Sequence, residues 1–167
     1  MNLFLGNFFM FLASMIMVSL GFVKDKKKII FFQTIQIALI GIGDIILGSI
    51  PGFIISLFAC TRNVLVYKNK LNRIGKIVLS TLSVTSSLLF NNIGLMGFLP
   101  AVVSAIYVWC IDTKDITKFK LLEIFSNSCW FMHDFYIKAY IIVIFDALSV
   151  CSNLFTFLKL KLKKKDN

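Results

Sequence analysis

Seven continuous apolar stretches occupy the chain, set apart by short polar connections. They run over Leu3–Val23, Ile29–Gly48, Gly52–Tyr67, Ile74–Phe90, Gly94–Ile111, Leu121–Tyr136 and Ala139–Leu158. Each comes near the roughly 20 mostly apolar residues that cross a hydrocarbon core as a helix. None alternates apolar and polar residues in the manner of a transmembrane barrel strand. The pattern predicts an all-α, polytopic membrane protein with seven transmembrane helices. The polar connections are too short to hold a soluble domain.

Composition strengthens this reading. Of 167 residues 58% are apolar and 18 are Phe, and the mean hydropathy is +0.86; a soluble domain is about half apolar. The net charge of +10 raises nucleic acid as a partner, but the distribution of the charge points elsewhere. Of the 18 Lys and Arg, all but Arg62 and Lys138 follow the first, third or fifth span or lie in the C-terminal tail. Lys24, Lys26, Lys27 and Lys28 form the first group, Lys68, Lys70, Arg73 and Lys76 the second. Lys114, Lys118 and Lys120 form the third, and the tail carries Lys159, Lys161, Lys163, Lys164 and Lys165. Basic residues in short loops mark the cytoplasmic side and touch anionic headgroups. The N-terminus is therefore expected outside and the C-terminus inside, with membrane lipids as partners and no nucleic acid. The first apolar run is followed, not preceded, by its lysines. A cleaved signal peptide has the reverse order, so this helix is expected to stay.

Sliding the chain against itself by ninety residues aligns two halves without a gap. Leu5 falls on Leu95, Phe8 on Phe98, Ser14 on Ser104, Lys24 on Lys114, Asp25 on Asp115, Lys28 on Lys118, Asp44 on Asp134 and Asn63 on Asn153. The polar matches are those that apolar composition explains least. The offset maps spans one to three onto five to seven and leaves span four as a connector. An odd connector makes the two triplets parallel, a repeat geometry that secondary transporters use. One membrane domain over 1–167 results: a first repeat at 1–70, a connector at 71–92, a second repeat at 93–160 and a basic tail at 161–167.

Polar groups inside the spans need a partner, water or a task. Asn63, Asn153 and Asn127, with the aromatic face of Trp130, are candidates for a pocket that takes a hydroxyl- or amide-bearing solute; interhelical hydrogen bonds and core packing are the competing account. Arg62 is a full charge in the third span. It either snorkels to the cytoplasmic surface or pairs with Glu123 as an inner gate. Asp44, Asp134, His133 and Asp146 are candidates for proton coupling, or else solvated residues near helix ends. Pro100, inside the fifth span, is the candidate hinge, because an interior proline frees a carbonyl and kinks a helix. The small residues Gly41, Gly43, Gly48, Ser83, Ser86 and Ser87 allow close helix approach. No GxSxG, HExxH or Walker pattern is present, so no enzyme is expected. His133 has no second His to complete a metal site, and Cys60, Cys110, Cys129 and Cys151 form no CxxC pair. Neither metal nor cofactor is expected.

The run Phe98-Leu99-Pro100 with Trp109, the string Cys129-Trp130-Phe131-Met132-His133-Asp134-Phe135, then Asn153, together with Arg62, resemble the bacterial inner-membrane YgjV family over nearly the whole chain. The resemblance implies a multi-pass protein of the bacterial cytoplasmic (inner) membrane. More distantly, the 3+1+3 plan is similar to the SWEET and PQ-loop sugar transporters and the PnuC vitamin transporters. The SWEET resemblance implies sugar contacts at Asn63, Asn153 and Trp130; of the hinge prolines of that family only Pro100 has a counterpart, and there is no Pro-Gln motif. Two expectations follow. One is a small-solute (sugar- or vitamin-like) transporter working by alternating access. The other is a non-transporting membrane scaffold or subunit of a larger complex. A homo-oligomer is compatible with either and required by neither.

Overall fold

The computed structural model describes residues 2–90, 94–136 and 139–165. Among them the chain forms seven α-helices: α1 (Leu3–Gly21), α2 (Lys26–Leu47), α3 (Ile50–Tyr67), α4 (Arg73–Phe90), α5 (Leu99–Cys110), α6 (Ile116–Tyr136) and α7 (Tyr140–Lys165). A short 3-10 helix, Gly94–Phe98, runs directly into α5. Four helices, α1, α2, α4 and α7, are long and apolar enough to cross a membrane, while α3 and α5 contribute shorter apolar helices. The 3-10 segment and α5 together rise about 28 Å, close to the hydrocarbon thickness of about 30 Å.

Polar residues set the helix ends. Asp25 caps α2 by accepting from the backbone N–H of Lys27 (2.9 Å) and Lys28 (3.2 Å). Its counterpart ninety residues on, Asp115, does the same for α6 through Thr117 N at 2.8 Å. A carboxylate here satisfies orphan amides and complements the helix dipole. At the other end of α2, Gly48 takes the left-handed conformation (φ 79°), and Ser49 N returns to Asp44 O at 2.7 Å. This glycine thus ends a helix rather than easing helix contact.

Each helix packs against its neighbours in the chain, and α7 returns to α1 to close a ring. Small residues sit where two helices touch. A Cβ on Gly43 would meet Met10 and the carbonyl of Gly6 at 3.1–3.2 Å, and one on Gly41 would meet Ser56 at 3.1 Å. Ser83, Ser86 and Ser87 are buried on α4. Large apolar side chains such as Phe4, Ile74 and Leu89 face outward, whereas Asn, Gln, Ser, Lys and Glu side chains are buried. Polar inside and apolar outside suits lipid and would be costly in water. One apolar cluster closes the end of the ring that bears the basic loops: Ile29, Ile30, Val66, Tyr107, Ile111, Phe119 and Leu122.

Two expectations are corrected here. Helix α6 starts at Ile116, five residues before the predicted Leu121, because Asp115 caps it. Lys120 therefore belongs to a helix and not to a solvated loop. Pro100 sits in the first turn of α5, directly after the 3-10 segment. First-turn amides have no intrahelical partner anyway, so Pro100 breaks no interior hydrogen bond, and the bend expected of it is a change of helix type instead. Lys138, read as the one basic residue on the opposite side, lies outside the described residues.

Candidate functional site

Side chains from α2, α3, α5 and α6 meet inside the ring and form one connected polar network. Arg62 is 7% exposed; its Nε donates to Asn63 Oδ1 at 2.9 Å, and its guanidinium lies 4.3 Å from the centroid of the Tyr107 ring. Asn63 Nδ2 donates to Gln33 Oε1 at 3.2 Å. Gln33 Nε2 donates to the Tyr107 hydroxyl at 2.9 Å and to Glu123 Oε1 at 3.3 Å. The Tyr107 hydroxyl in turn donates to Glu123. A guanidinium over an aromatic face gains cation–π attraction in place of the water it has lost.

Lys120 builds the second half of the site. It is 0% exposed, and its ammonium donates to Leu20 O (2.9 Å), Gly21 O (2.8 Å) and Asn153 Oδ1 (2.9 Å). Three donors meet three acceptors. Two of those acceptors are the terminal carbonyls of α1, the negative end of that helix. Asn153 Nδ2 donates to Ser149 O at 2.9 Å, and Asn127 Nδ2 to Ser149 Oγ at 2.8 Å. Gly21 makes this closeness possible: a Cβ there would lie 1.7 Å from Ser152 Oγ on α7.

Between the two halves lies a cavity of about 30 Å³. Its lining combines the apolar Met17, Leu20 and Ile29 with the polar Gln33, Gln36, Glu123, Asn127 and Asn153. Its volume holds one or two water molecules, and its amides and carboxylate offer them partners.

The candidates fall unevenly around this cavity. Asn127 and Asn153 line it, and Asn63 is one hydrogen bond behind Gln33. Trp130 does not line it; the ring stands edge-on to His133, 5.5 Å between centroids. The direct Arg62–Glu123 pair is corrected: the Tyr107 side chain stands between them, bonded to one and under the other. Snorkelling of Arg62 is corrected as well, because Asn63 and Tyr107 hold the guanidinium inside. Asp134 is not a solvated helix end, being 7% exposed and bonded to His133 Nδ1 at 2.8 Å. Asp146 is also buried, and Asp44 is half-buried with its carboxylate against Gly52 in the first turn of α3. Gln33, Gln36, Tyr107 and Lys120 were missed. The two glutamines, three apart, share one helix face, which is a signal in the sequence. Tyr107 and Lys120 carry none, since the one resembles any interfacial aromatic and the other any loop lysine.

A family model named Imp-YgjV and described as a bacterial inner membrane protein matches residues 4–164. Neither curated proteins nor solved structures provide a match.

Proposed function

We propose, from the premise that this chain belongs to the Imp-YgjV family of bacterial inner membrane proteins, that it carries a small polar solute across that membrane by alternating access. It is an integral, multi-pass protein of the bacterial inner membrane. The observation that carries the transport reading is the set of three ionisable groups, Arg62, Lys120 and Glu123, buried beside an amide-lined cavity. Each buried ion costs several kcal/mol of desolvation, and ionisable residues at membrane depth mark solute and ion pathways. Amides that both donate and accept suit a hydroxyl- or amide-bearing solute, sugar- or vitamin-like.

In this reading the protein has a 3+1+3 plan, with α1–α3 and α5–α7 as parallel triplets and α4 as connector. The N-terminus is outside and the C-terminus cytoplasmic. Gln33 and Glu123, ninety residues apart and in contact at 3.3 Å, support an axis along the membrane normal passing between them. The paired caps Asp25 and Asp115 support the same repeat. Rocking of one triplet against the other would widen the cavity that now holds only water-sized molecules. No catalytic task is assigned to the chain.

The small volume of that cavity favours a second reading, a scaffold or subunit of a larger complex whose interior stays packed. Thermal-shift screening of the purified protein against sugars, nucleosides and vitamins separates the two. Transport predicts a stabilising compound whose effect disappears in Asn127→Ala and Asn153→Ala. A screen without hits, or with hits indifferent to both substitutions, rejects the pocket.

A further inference from the structure

An arginine carries five N–H donors in a rigid planar fork and no acceptor, and Arg62 commits only one of them. Its Nε donates to Asn63 Oδ1 at 2.9 Å, and the guanidinium lies over the Tyr107 ring. Among the described residues the four N–H groups of Nη1 and Nη2 meet no acceptor, and no carboxylate stands within ion-pair distance of them. Nor are these two nitrogens sealed off. The fully buried side-chain polar atoms without a partner, among the described residues, are Ser80 Oγ and Asp146 Oδ2. An opening therefore reaches the fork of a side chain that is otherwise buried.

The groups that touch Arg62 hold it without neutralising it. Asn63 is fully buried, and its amide donates to Gln33 at 3.2 Å. The Tyr107 hydroxyl is bonded to Gln33 and Glu123. Both neighbours of the guanidinium are thus uncharged, and each is fixed by a further hydrogen bond. Glu123 spends Oε1 on Tyr107 and Gln33. Asp44 lies against Gly52, roughly 15 Å along α3 from Arg62. Helix α4 brings Arg73 and Lys76, and Lys76 is paired with Asp112 at 2.7 Å. Within the buried network two cations, Arg62 and Lys120, stand against the single carboxylate of Glu123, which leaves an excess of positive charge.

We infer that Arg62 anchors a binding site for an oxyanion, the carboxylate or phosphate of a small solute, held by Nη1 and Nη2 together while Asn63 and Tyr107 keep the guanidinium in place. The parallel N–H bonds of the fork match two oxygens on one carbon or phosphorus. A singly charged oxyanion also cancels the excess charge of the network. Asn63 joins the site to the amide-lined cavity through Gln33, which lines it. The site gives the solute of the transport reading a negative charge. It rests on that reading only for the solute's path; binding itself does not depend on transport.

Titration of the full-length protein, delipidated in non-ionic detergent, tests this through the unfolding temperature at constant ionic strength. Sodium acetate, sodium benzoate and inorganic phosphate are the probes, and acetamide, benzamide and sodium chloride the controls. At least one oxyanion should stabilise the protein saturably, whereas the amides and chloride should not. Arg62→Lys keeps the charge but loses the fork, and should weaken that affinity at least about tenfold. Arg62→Gln should abolish it; if this variant fails to fold, Arg62→Lys and the wild-type titration decide. No saturation by any oxyanion means that water alone occupies the fork and overturns the inference, as does saturation that Arg62→Lys leaves unchanged. Native mass spectrometry separates the other source of the same chemistry. A phospholipid retained by the wild type and lost in Arg62→Gln, with no response to free anions, assigns the fork to a lipid phosphate and overturns the solute site. A neutral solute that binds through Asn127 and Asn153 while no oxyanion binds rejects this site and leaves transport standing, so the two failures are distinguishable.

Discussion

Single side chains carry most of the unusual physics in this protein, and Lys120 is the clearest case. An ammonium out of water must regain three hydrogen bonds, and the structure provides three acceptors within 2.8–2.9 Å. Two of them are the last carbonyls of α1, of which Leu20 O also accepts from Val23 N at 3.1 Å. Hydrogen bonds to charged groups are worth about 1.5–3 kcal/mol, and leaving a buried partner unpaired costs a similar amount. Lys120→Met should therefore destabilise the protein by about 2–4 kcal/mol, read as a lowered unfolding temperature in detergent. Lys24→Met, at an exposed position, should change it by less than about 0.5 kcal/mol. Equal effects would mean that Lys120 acts only through topology. Arg62 follows the same logic with different chemistry. Its charge is met by an amide and an aromatic face, and it is linked to Glu123 through Tyr107 and through Asn63 and Gln33.

Among the helices, contact distance decides what each position accepts. Where α1 meets α7, Gly21 leaves no room: an added Cβ would lie 2.5 Å from Ser152 Cβ and 3.0 Å from the backbone N of Asn153. Gly21→Ala must push α7 away and stretch the Lys120–Asn153 bond with it. The expected cost is about 1–3 kcal/mol. Ser152→Ala should not restore stability, because Cβ and the backbone remain in the way; full rescue would show that the hydroxyl alone sets the spacing. Helix α5 is too short to span by itself, and the 3-10 segment extends it. Pro100 marks that junction with a preset φ and no lost bond.

For the molecule as a whole, the ring of helices puts polar groups inside and apolar groups toward lipid, as expected when there is little hydrophobic force between helices and small or polar contacts must join them. The proposed seven crossings would put the two ends of the chain on opposite sides of the membrane. Single cysteines introduced at Asn2 and at Lys161, in a background lacking the four native cysteines, should react with an impermeant maleimide from the outside and the cytoplasmic side respectively. Reaction of both from one side would refute the seven-span topology and the parallel triplets with it.

The seven helices were legible in the chain because a bilayer demands long apolar runs and tolerates little else. Asp25 and Asp115 stand ninety residues apart and both cap helices, a role that is local and therefore leaves a fixed sequence mark. Asn127 and Asn153 were recognisable as polar intruders in apolar spans. Tertiary structure alone decided the rest. Whether Lys120 is a loop charge or a buried cap depends on α1 ending within its reach, and whether Arg62 meets Glu123 depends on Tyr107 arriving from α5. Hydropathy and capping act within a few residues of sequence, whereas hydrogen bonds between helices depend on distances that no single helix encodes.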